Sequence, residues 1–455
     1  MEKTFQTSVT RRSVLALCIG AALATAADAT ARPSPPLEPW TPTTPTAIVT
    51  SCDDSGPGSL RDAVNNAVDG DTIDLTQLGC SRITLTTGAI TIGVTNIAFQ
   101  GPGPNQLAID GNDNDTVLWN LGGGTTIIEG LTIENGHKYV NDQHVRGGCI
   151  NTNGNALLRN VHVRDCTAQS ASNLAALGGG IYTQGALLLY DSIVSNNTAH
   201  ATGNGYASGG GIYAHDFFVS SYSTISNNVA VGDSSTPSFG GGALTWNGGQ
   251  IIGTAVWGNT STRMGGLALY GDTSHTTTMI NSTISGNSAT RFGGVFARTV
   301  LDLYNSTIAF NHATEWTNGT ENWAAGLQIT SGLGHLYSTI INNNINDALP
   351  GTADLAGPSG TGFLGSNNNV GFCGAPCPND TTHEDPGLGP LQDNGGRSRT
   401  HVPTPGLWDT FGGVNVLGWQ WEQRGPGFLR DPPADRMDIG AYQTNSDVIL
   451  ANGFN

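Results

Sequence analysis

The segment NSTISGN (281–287) is one of several variants of the same seven-residue unit in the middle of the chain. The other variants are DSIVSNN (191–197), YSTISNN (222–228), GTAVWGN (253–259), NSTIAFN (305–311) and YSTIINN (337–343). They end in Asn197, Asn228, Asn259, Asn287, Asn311 and Asn343, which lie 31, 31, 28, 24 and 32 residues apart. A repeat of this length predicts stacked supersecondary units.

The composition of each repeat favours β-strands over helices. Short runs of β-branched residues alternate with glycine, and long segments of helical periodicity are missing. In LDLYNSTIAF (301–310), Leu301 and Leu303 alternate with Asp302 and Tyr304, which predicts one buried and one exposed face. Stacking three short strands per repeat at about 4.8 Å predicts an all-β, parallel β-helix, and the crossover rule favours a right-handed one.

Asparagine and glycine mark the corners of the predicted coils. Asparagine tolerates left-handed backbone and its amide can bond the coils above and below, so the repeating asparagines are predicted to form a ladder. Glycine pairs are predicted to occupy the adjacent corner, where a side chain would crowd the next coil. The pairs are Gly179–Gly180, Gly210–Gly211, Gly241–Gly242, Gly265–Gly266 and Gly293–Gly294.

The ends of the chain differ from the repeats. A basic start with Arg11 and Arg12, an apolar core and a small-residue cleavage site predict an export signal that resembles a twin-arginine signal. SLRDAVNNAV (59–68) has helical spacing and is predicted to cap the coil. The predicted divisions are a signal peptide (1–29), a proline-rich linker (30–46), a capped β-helix (47–346), an irregular closing segment (347–443) and a tail (444–455).

Charge and hydropathy restrict the partners. The chain has 18 basic and 35 acidic residues, a net charge of −17, and Lys138 is its only lysine after the predicted signal. Such a surface repels phosphate backbones, which argues against nucleic acid and favours neutral or cationic partners. No segment after the signal reaches 18 apolar residues, so a transmembrane span is not predicted. We expect a secreted or cell-surface monomer.

Six cysteines remain after the predicted signal, an even number that predicts disulfides in an exported chain. Cys149 and Cys166 fall in one coil, with Cys166 at a ladder position, and Cys373 and Cys377 close a small loop. Cys52 and Cys80 are paired by elimination. The spacing of a zinc site is absent, and no cofactor is predicted; acid-rich turns could bind Ca²⁺, although the repeats lack the GGxGxD nonapeptide of calcium coils.

Motifs at both ends resemble a known family. DPGLGPLQDNGGRSRTHVPTPG (385–406), EQRG (422–425) and DIGAYQ (438–443) are similar to the C-terminal signature of exported bacterial β-helix proteins called choice-of-anchor Q domain proteins. DSGPGSLRDAV (54–64) resembles their N-terminal entry, and the repeats are similar to those of polymorphic outer membrane proteins, many of which are adhesins. The resemblance implies an exported surface protein, and a buried arginine-to-aspartate pair is predicted to hold the closing segment.

Two loop insertions carry candidate functional residues. NGHKYVNDQHVRGG (135–148) could supply a general base and a cation for a uronate, or a histidine and carboxylate metal site; the alternative is a solvated loop. Its candidate residues are His137, Lys138, Asp142 and His144. HATEWTNGTENWAAG (312–326) could bind or hydrolyse a glycan, or simply anchor itself to the coil. Its candidates are the carboxylates Glu315 and Glu321 and the indoles Trp316 and Trp323, with Trp257 on a nearby outward column.

Established enzyme motifs of the β-helix scaffold are missing from the repeats. The RxPxxR arrangement of pectate lyases and the NTD, DD and GHG series of polygalacturonases do not occur in successive coils. We therefore predict a binding or adhesion protein that engages a polysaccharide, an envelope component or a partner protein without catalysis. The alternative is a polysaccharide lyase or glycoside hydrolase.

Overall fold

The computed structural model describes residues 46–171, 173–233, 236–314, 323–348, 354–357, 363–374, 376–404, 412–430 and 437–444. The predicted signal peptide, nearly all of the linker and nearly all of the tail lie outside these residues. The described chain forms an all-β, parallel β-helix, as the repeats predicted. Searching the described residues for an apolar helix long enough to cross a membrane finds none.

Two of its sheets contain twelve parallel strands each. Sheet 1 consists of Ala47–Ile48, Asp71–Asp74, Ile97–Gln100, Thr125–Glu129, Asn155–Arg159, Leu187–Tyr190, Phe218–Ser221, Gly249–Ile252, Thr276–Ile280, Val300–Tyr304, Gly334–Tyr337 and Leu364–Ser366. Sheet 2 consists of Arg82–Thr84, Ala108–Asp110, Thr132–Glu134, His162–Arg164, Ile193–Ser195, Thr224–Ser226, Ala255–Trp257, Thr283–Ser285, Thr307–Ala309, Ile340–Asn342, Asn368–Val370 and Thr381–Thr382.

The remaining sheets complete the coils. Sheet 3 consists of Ile90–Ile92, Leu118–Asn120, Ile150–Thr152, Ile181–Thr183, Ile212–Ala214, Ala243–Thr245, Leu267–Tyr270, Val295–Arg298, Leu327–Ile329 and Leu355–Ala356. Sheet 4 consists of His137–Val140, Thr167–Ser170, Thr198–Ala201, Val229–Gly232, Thr260–Ser261, Ser288–Ala289, His312–Ala313 and Ile345–Asn346. Sheet 5 consists of Val145–Arg146, Ala176–Leu177 and Ala207–Ser208, and an antiparallel hairpin consists of Leu388–Gln392 and Thr400–Pro403.

One continuous hydrophobic core fills the coils. Leu301 and Leu303 are fully buried in it, whereas Asp302 and Tyr304 stay half-buried, which confirms the predicted alternation. The register pairs each residue with its equivalent one coil away, so that aliphatic side chains of consecutive coils meet along the axis. The sequence period therefore reflects the burial of one apolar stripe per strand.

A ladder of buried asparagine amides runs along one corner. Asn197 Nδ2 donates to Asn228 Oδ1 at 2.9 Å, and the same 2.9 Å bond recurs at each later step. Cys166 holds the preceding position, as predicted, because its N–H donates to Asn197 Oδ1 at 3.1 Å. The sixth asparagine of the ladder is Asn344; the prediction of Asn343 was wrong by one residue.

The left-handed backbone lies one residue before the ladder, not on it. Asn196 and Asn227 have φ values of 57° and 54°, and Asn343 has 61°. The corner turn is made by this exposed or half-buried residue, which frees the next amide to point inward and bond the adjacent coils. The glycine pairs behave as predicted: a Cβ on Gly180 would lie 2.9 Å from Asn197 Cγ.

The two ends of the helix depart from the repeat. A short helix, Leu60–Asn65, begins where the Ser59 side chain accepts from the Asp62 N–H, and it buries Leu60 and Val64 in the core near the first coils. It is shorter than the predicted 59–68. At the other end the coils continue past residue 346, with Thr381–Thr382 as the last strand of sheet 2. The three disulfides join Cys52 to Cys80, Cys149 to Cys166 and Cys373 to Cys377, which confirms the predicted pairs.

The closing segment packs across the outward face of sheet 2. His401 Nε2 lies 2.8 Å from Ser285 Oγ, Thr283 Oγ1 donates to Gln423 Oε1 at 2.5 Å, and the Ala441 N–H donates to Thr307 Oγ1 at 3.0 Å. Small polar side chains on the sheet let the segment come this close.

Buried charges hold the closing segment in place. Arg424 pairs with the buried Glu422, and the pairing of a buried arginine with an aspartate stays a prediction. Arg430 is fully buried, and its guanidinium donates to the Ala441 carbonyl at 2.7 Å. Burial raises the pKa of Glu422, while the neighbouring Arg424 and Arg430 act against that rise. The pairing offsets the cost of burying these charges.

Candidate functional site

Large side chains line the outward face of sheet 3. The first and third residues of its strands point into the core, so the middle residue points outward. Register places one such residue above the next in consecutive coils. The column reads Trp119, Asn151, Tyr182, Tyr213, Leu244, Ala268 and Phe296.

The aromatic rings of this face pack against one another along the axis. The ring centroids of Tyr182 and Tyr213 are 5.5 Å apart, and those of Trp246 and Tyr270 are 5.0 Å apart. Trp246 Nε1 also donates to the Tyr213 hydroxyl at 2.9 Å. Burial raises the pKa of Tyr213 to about 12 despite this bond. The rings form a packed floor whose members support each other.

An open cavity of about 430 Å³ lies at the start of this column. Its lining includes Trp119, Lys138, His144, Arg146, Asn151 and Asn153. The loop predicted from NGHKYVNDQHVRGG forms one wall, because His137–Val140 pairs with sheet 4 and Val145–Arg146 pairs with sheet 5. The volume is in the range of small-ligand sites.

Trp119 and Lys138 meet at this cavity. Lys138 Nζ lies 5.1 Å from the centroid of the Trp119 ring and donates to Asp115 Oδ1 at 2.7 Å. The half-buried indole presents a broad apolar surface and the ammonium a positive charge beside it. Such a combination suits a ligand with both apolar faces and acidic groups.

Asn151 supplies a buried polar atom without a partner. Its side chain is 9% exposed, and no hydrogen-bond donor reaches its Oδ1 among the residues that the structure describes. Leaving a buried acceptor unpaired costs roughly 1–3 kcal/mol, and this oxygen is closed off from solvent, so the cavity is lined by other atoms of Asn151. The amide lies in register between Trp119 and Tyr182.

Arg146 and His144 close the far side of the cavity. The Arg146 guanidinium lies 5.1 Å from the centroid of Tyr182, and it forms no ion pair with any carboxylate in the described ranges. His144 Nδ1 accepts from the Ala175 N–H at 2.9 Å, so the neutral ring carries its proton on Nε2. The cavity therefore combines an indole and two cations with an imidazole and several amide groups.

Not every predicted residue of this loop reaches the cavity. His137 pairs with Asp113 at 3.1 Å and lies 3.3 Å from Gln169 Oε1 on sheet 4. Asp142 is exposed and is not part of the cavity wall. The structure thus brings Lys138 and His144 together and leaves His137 and Asp142 apart from them.

The second predicted loop is described only at its ends. Glu315, Trp316 and Glu321 lie outside the described residues. Trp323 belongs to the sheet 3 face: its ring lies 5.4 Å from that of Phe292, and the Arg291 guanidinium lies 4.3 Å from its centroid.

Trp257 lies on a different face. It occupies the outward column of sheet 2 with Ser285 and Ala309, as the sequence predicted. The Arg399 guanidinium of the closing segment lies 4.7 Å from its ring centroid. Trp257 therefore contacts the closing segment, away from the cavity on sheet 3.

The described ranges contain no preformed metal site. Their histidine, cysteine, aspartate and glutamate side chains form no group of three that could hold a metal ion. The histidine and carboxylate pairing predicted for loop 135–148 is present only as the His137–Asp113 contact.

Sequence reasoning missed Trp119 and Asn151. They lie 32 residues apart in the chain and become neighbours only through the coil register. Writing the sequence in rows of one coil length would have placed both beside the predicted loop.

Comparisons with known proteins leave the function open. No family model matches the chain, and no curated protein matches it either. Among solved structures, the crystal structure of pectate lyase Pel9A is similar, with 14% sequence identity, a TM-score of 0.44, and coverage of 88% of this chain and 97% of that chain. The fold assignment rests on the strand pairing described above.

Proposed function

We propose that this chain binds an acidic sugar unit of an extracellular polysaccharide in the sheet 3 cavity, without catalysis. The observation that carries the proposal is the cavity in which Arg146, without an ion pair among the described residues, lies near Trp119, Lys138 and the Asn151 amide. A sugar hydroxyl would accept from the Asn151 amide, and a carboxylate would accept from Lys138 and Arg146. The sugar ring would lie against the indole.

The disulfides of the chain support a role outside the cell. Three disulfides are consistent with an extracellular location, because such bonds persist in oxidising compartments. Export by the predicted signal and attachment to an envelope or host surface, which the choice-of-anchor Q resemblance implies, belong to this proposal. The cavity residues would bind the ligand through hydrogen bonds, ion pairs and ring contacts, and none of these requires a chemical step.

Titration calorimetry with acidic and neutral oligosaccharides tests the proposal. We expect oligogalacturonate to bind and Trp119→Ala to weaken that binding at least about tenfold, because aromatic anchors dominate binding energy. Asn151→Leu should weaken it similarly by removing the amide donor. Tyr139→Ala is the matched control, since Tyr139 is 55% exposed on the same loop and does not line the cavity. Unchanged affinity in Trp119→Ala would reject this site.

A polysaccharide lyase is the second candidate, favoured by the same two cations. In its neutral form the Lys138 amine would take the proton next to the uronate carboxylate; the glycosidic C–O bond would then break as a C=C bond forms, and the leaving sugar oxygen would take a proton from water. Incubation with polygalacturonate distinguishes the two functions, because a lyase forms an unsaturated product that absorbs in the ultraviolet. If such a product appears and Lys138→Met abolishes it, the protein is an enzyme and the binding proposal is wrong.

A further inference from the structure

A second group of cations lies on the sheet 3 face, away from the cavity. Arg298 pairs in register with Tyr270, and Arg263 precedes Met264, which bridges Phe292 on the next coil. Burial raises the pKa of Tyr270, while Arg298 and Arg263 act to lower it. The Tyr270 hydroxyl lies 3.6 Å from Met264 Sδ, next to Arg263 in the chain, and the strand register places Arg298 one coil away, so both arginines flank the phenol.

These arginines differ from several others that the structure describes. Arg82 contacts Glu134 at 2.7 Å and Arg159 contacts Glu129 at 3.1 Å, so their charges are balanced. Within the described residues, Arg263 and Arg298 form no ion pair, although the chain carries a net charge of −17. Arg298 is exposed and Arg263 half-exposed. Two uncompensated cations in an acidic protein create a local positive region that attracts anions.

The two cationic groups lie on the outward face of sheet 3, along the same column of residues. The column runs from Asn151 through Tyr182, Tyr213 and Leu244 to Ala268, which is four coil steps. At about 4.8 Å per step, the second group lies about 19 Å from the cavity along the axis. A small acidic sugar cannot reach both.

The surface between the two groups suits an extended chain. Tyr206 is 45% exposed and Trp246 is 39% exposed, and both stand on the aromatic floor between Arg146 and Arg298. The exposed rings offer apolar contact to sugar rings, and the arginines at either end offer charge.

We propose that the ligand is an extended, carboxylated polysaccharide that binds along sheet 3, with one carboxylate at Lys138 and Arg146 and another at Arg263, Tyr270 and Arg298. The inference rests on the proposed function of the cavity and adds a second binding site to it. Guanidinium groups bind carboxylates through two parallel hydrogen bonds, which favours uronates over neutral sugars. The acidic remainder of the surface repels the same polymer, which confines it to this strip.

Oligogalacturonates of increasing length test the second site. For the unmodified protein, affinity should rise with length until the oligomer spans about 19 Å, and should fall as salt is added. In Arg263→Gln/Arg298→Gln the affinity for long oligomers should drop by about tenfold or more, whereas that for short ones stays unchanged. Arg159→Gln is the matched control, because it removes a cation from sheet 1. Equal melting temperatures would show that the variants are folded.

The outcomes separate the two proposals. If the double variant binds long oligomers as the unmodified protein does, the second site is wrong while the cavity stands. If Trp119→Ala leaves the binding of short oligomers intact, or if no acidic oligosaccharide binds, both are wrong. Cello-oligosaccharides of equal length should bind weakly; equal affinity would overturn the role of charge. Tighter binding of sulfated than of carboxylated oligomers would overturn the choice of carboxylate.

Discussion

The outward faces of sheets 2 and 3 lie on the same coils, but they differ in what contacts them: the closing segment packs on sheet 2, whereas the rings of sheet 3 pack on one another. On sheet 2 the closing segment bonds directly to small outward residues, Thr283, Ser285 and Thr307. On sheet 3 the outward residues are large, such as Tyr182 and Tyr213, and they pack against one another. Small outward side chains at these positions let the closing backbone approach sheet 2, whereas the packed rings of sheet 3 present a broad apolar surface.

Loss of the buried Arg430 charge should weaken the attachment of the closing segment to sheet 2 more than any other change. Arg430→Met removes the donor to the Ala441 carbonyl and one of two cations near Glu422. We expect a loss of about 3 kcal/mol in the stability of the closing segment, because the buried Glu422 then keeps only one of its two neighbouring cations and the Ala441 carbonyl loses its donor. Hydrogen exchange of residues 389–404 and 420–430 measures it. Arg397→Met, which breaks an exposed pair with Asp191, should cost less than about 1 kcal/mol; equal losses would contradict the comparison.

Adding a methyl group where the closing segment lies close to sheet 2 should lower the stability of the protein by an intermediate amount. A Cβ on Gly440 would lie 2.7 Å from Ile340 Cδ1 and 2.8 Å from Thr307 Oγ1, so Gly440→Ala should destabilise the protein by about 1–3 kcal/mol more than its backbone strain alone. Gly427→Ala isolates that strain, since Gly427 has a similar φ of 104° and open space around it. Denaturant unfolding of both variants gives the difference. Identical losses would mean that the segment does not press on the sheet.

Lowering the pH should destabilise the contact between the closing segment and sheet 2, and this effect should be the smallest of the three. Burial lowers the pKa of His401, whose Nδ1 lies 2.6 Å from the Gly389 carbonyl and whose Nε2 faces Ser285. A folded-state pKa below the ordinary value of about 6.5 stabilises the fold above that pH, and this stability is lost as pH falls. One hydrogen bond is at stake, so we expect about 1 kcal/mol.

The sign of this pH effect can be checked against a histidine on another face. A hydrogen bond to Asp302 raises the pKa of His335 on sheet 1, so its contribution is present at low pH and is lost as pH rises. Unfolding of His401→Gln and His335→Gln at several pH values should therefore change the pH dependence in opposite directions. A change of the same sign in both variants would refute the assignment for His401.

Particular residues show how far sequence reasoning reached. The strand alternation at Leu301 and Leu303 was predictable because burial has a period of two residues within a strand. The net charge of −17 favoured neutral or cationic partners, yet it says nothing of where the charges lie. Arg263 and Arg298 stand together without ion pairs only because their coils are adjacent.

Local chemistry in the sequence was enough to establish stacked coils, the buried stripe, the glycine corners and the cysteine pairs, because each depends on a repeat length or on near neighbours. The tertiary structure alone decided which distant residues meet. Trp119, Lys138 and Asn151 share a cavity because the coil register brings them side by side, and Asn344 replaces Asn343 in the ladder for the same reason. Coil length varies with each loop, so a shift of one residue turns a side chain from solvent to core.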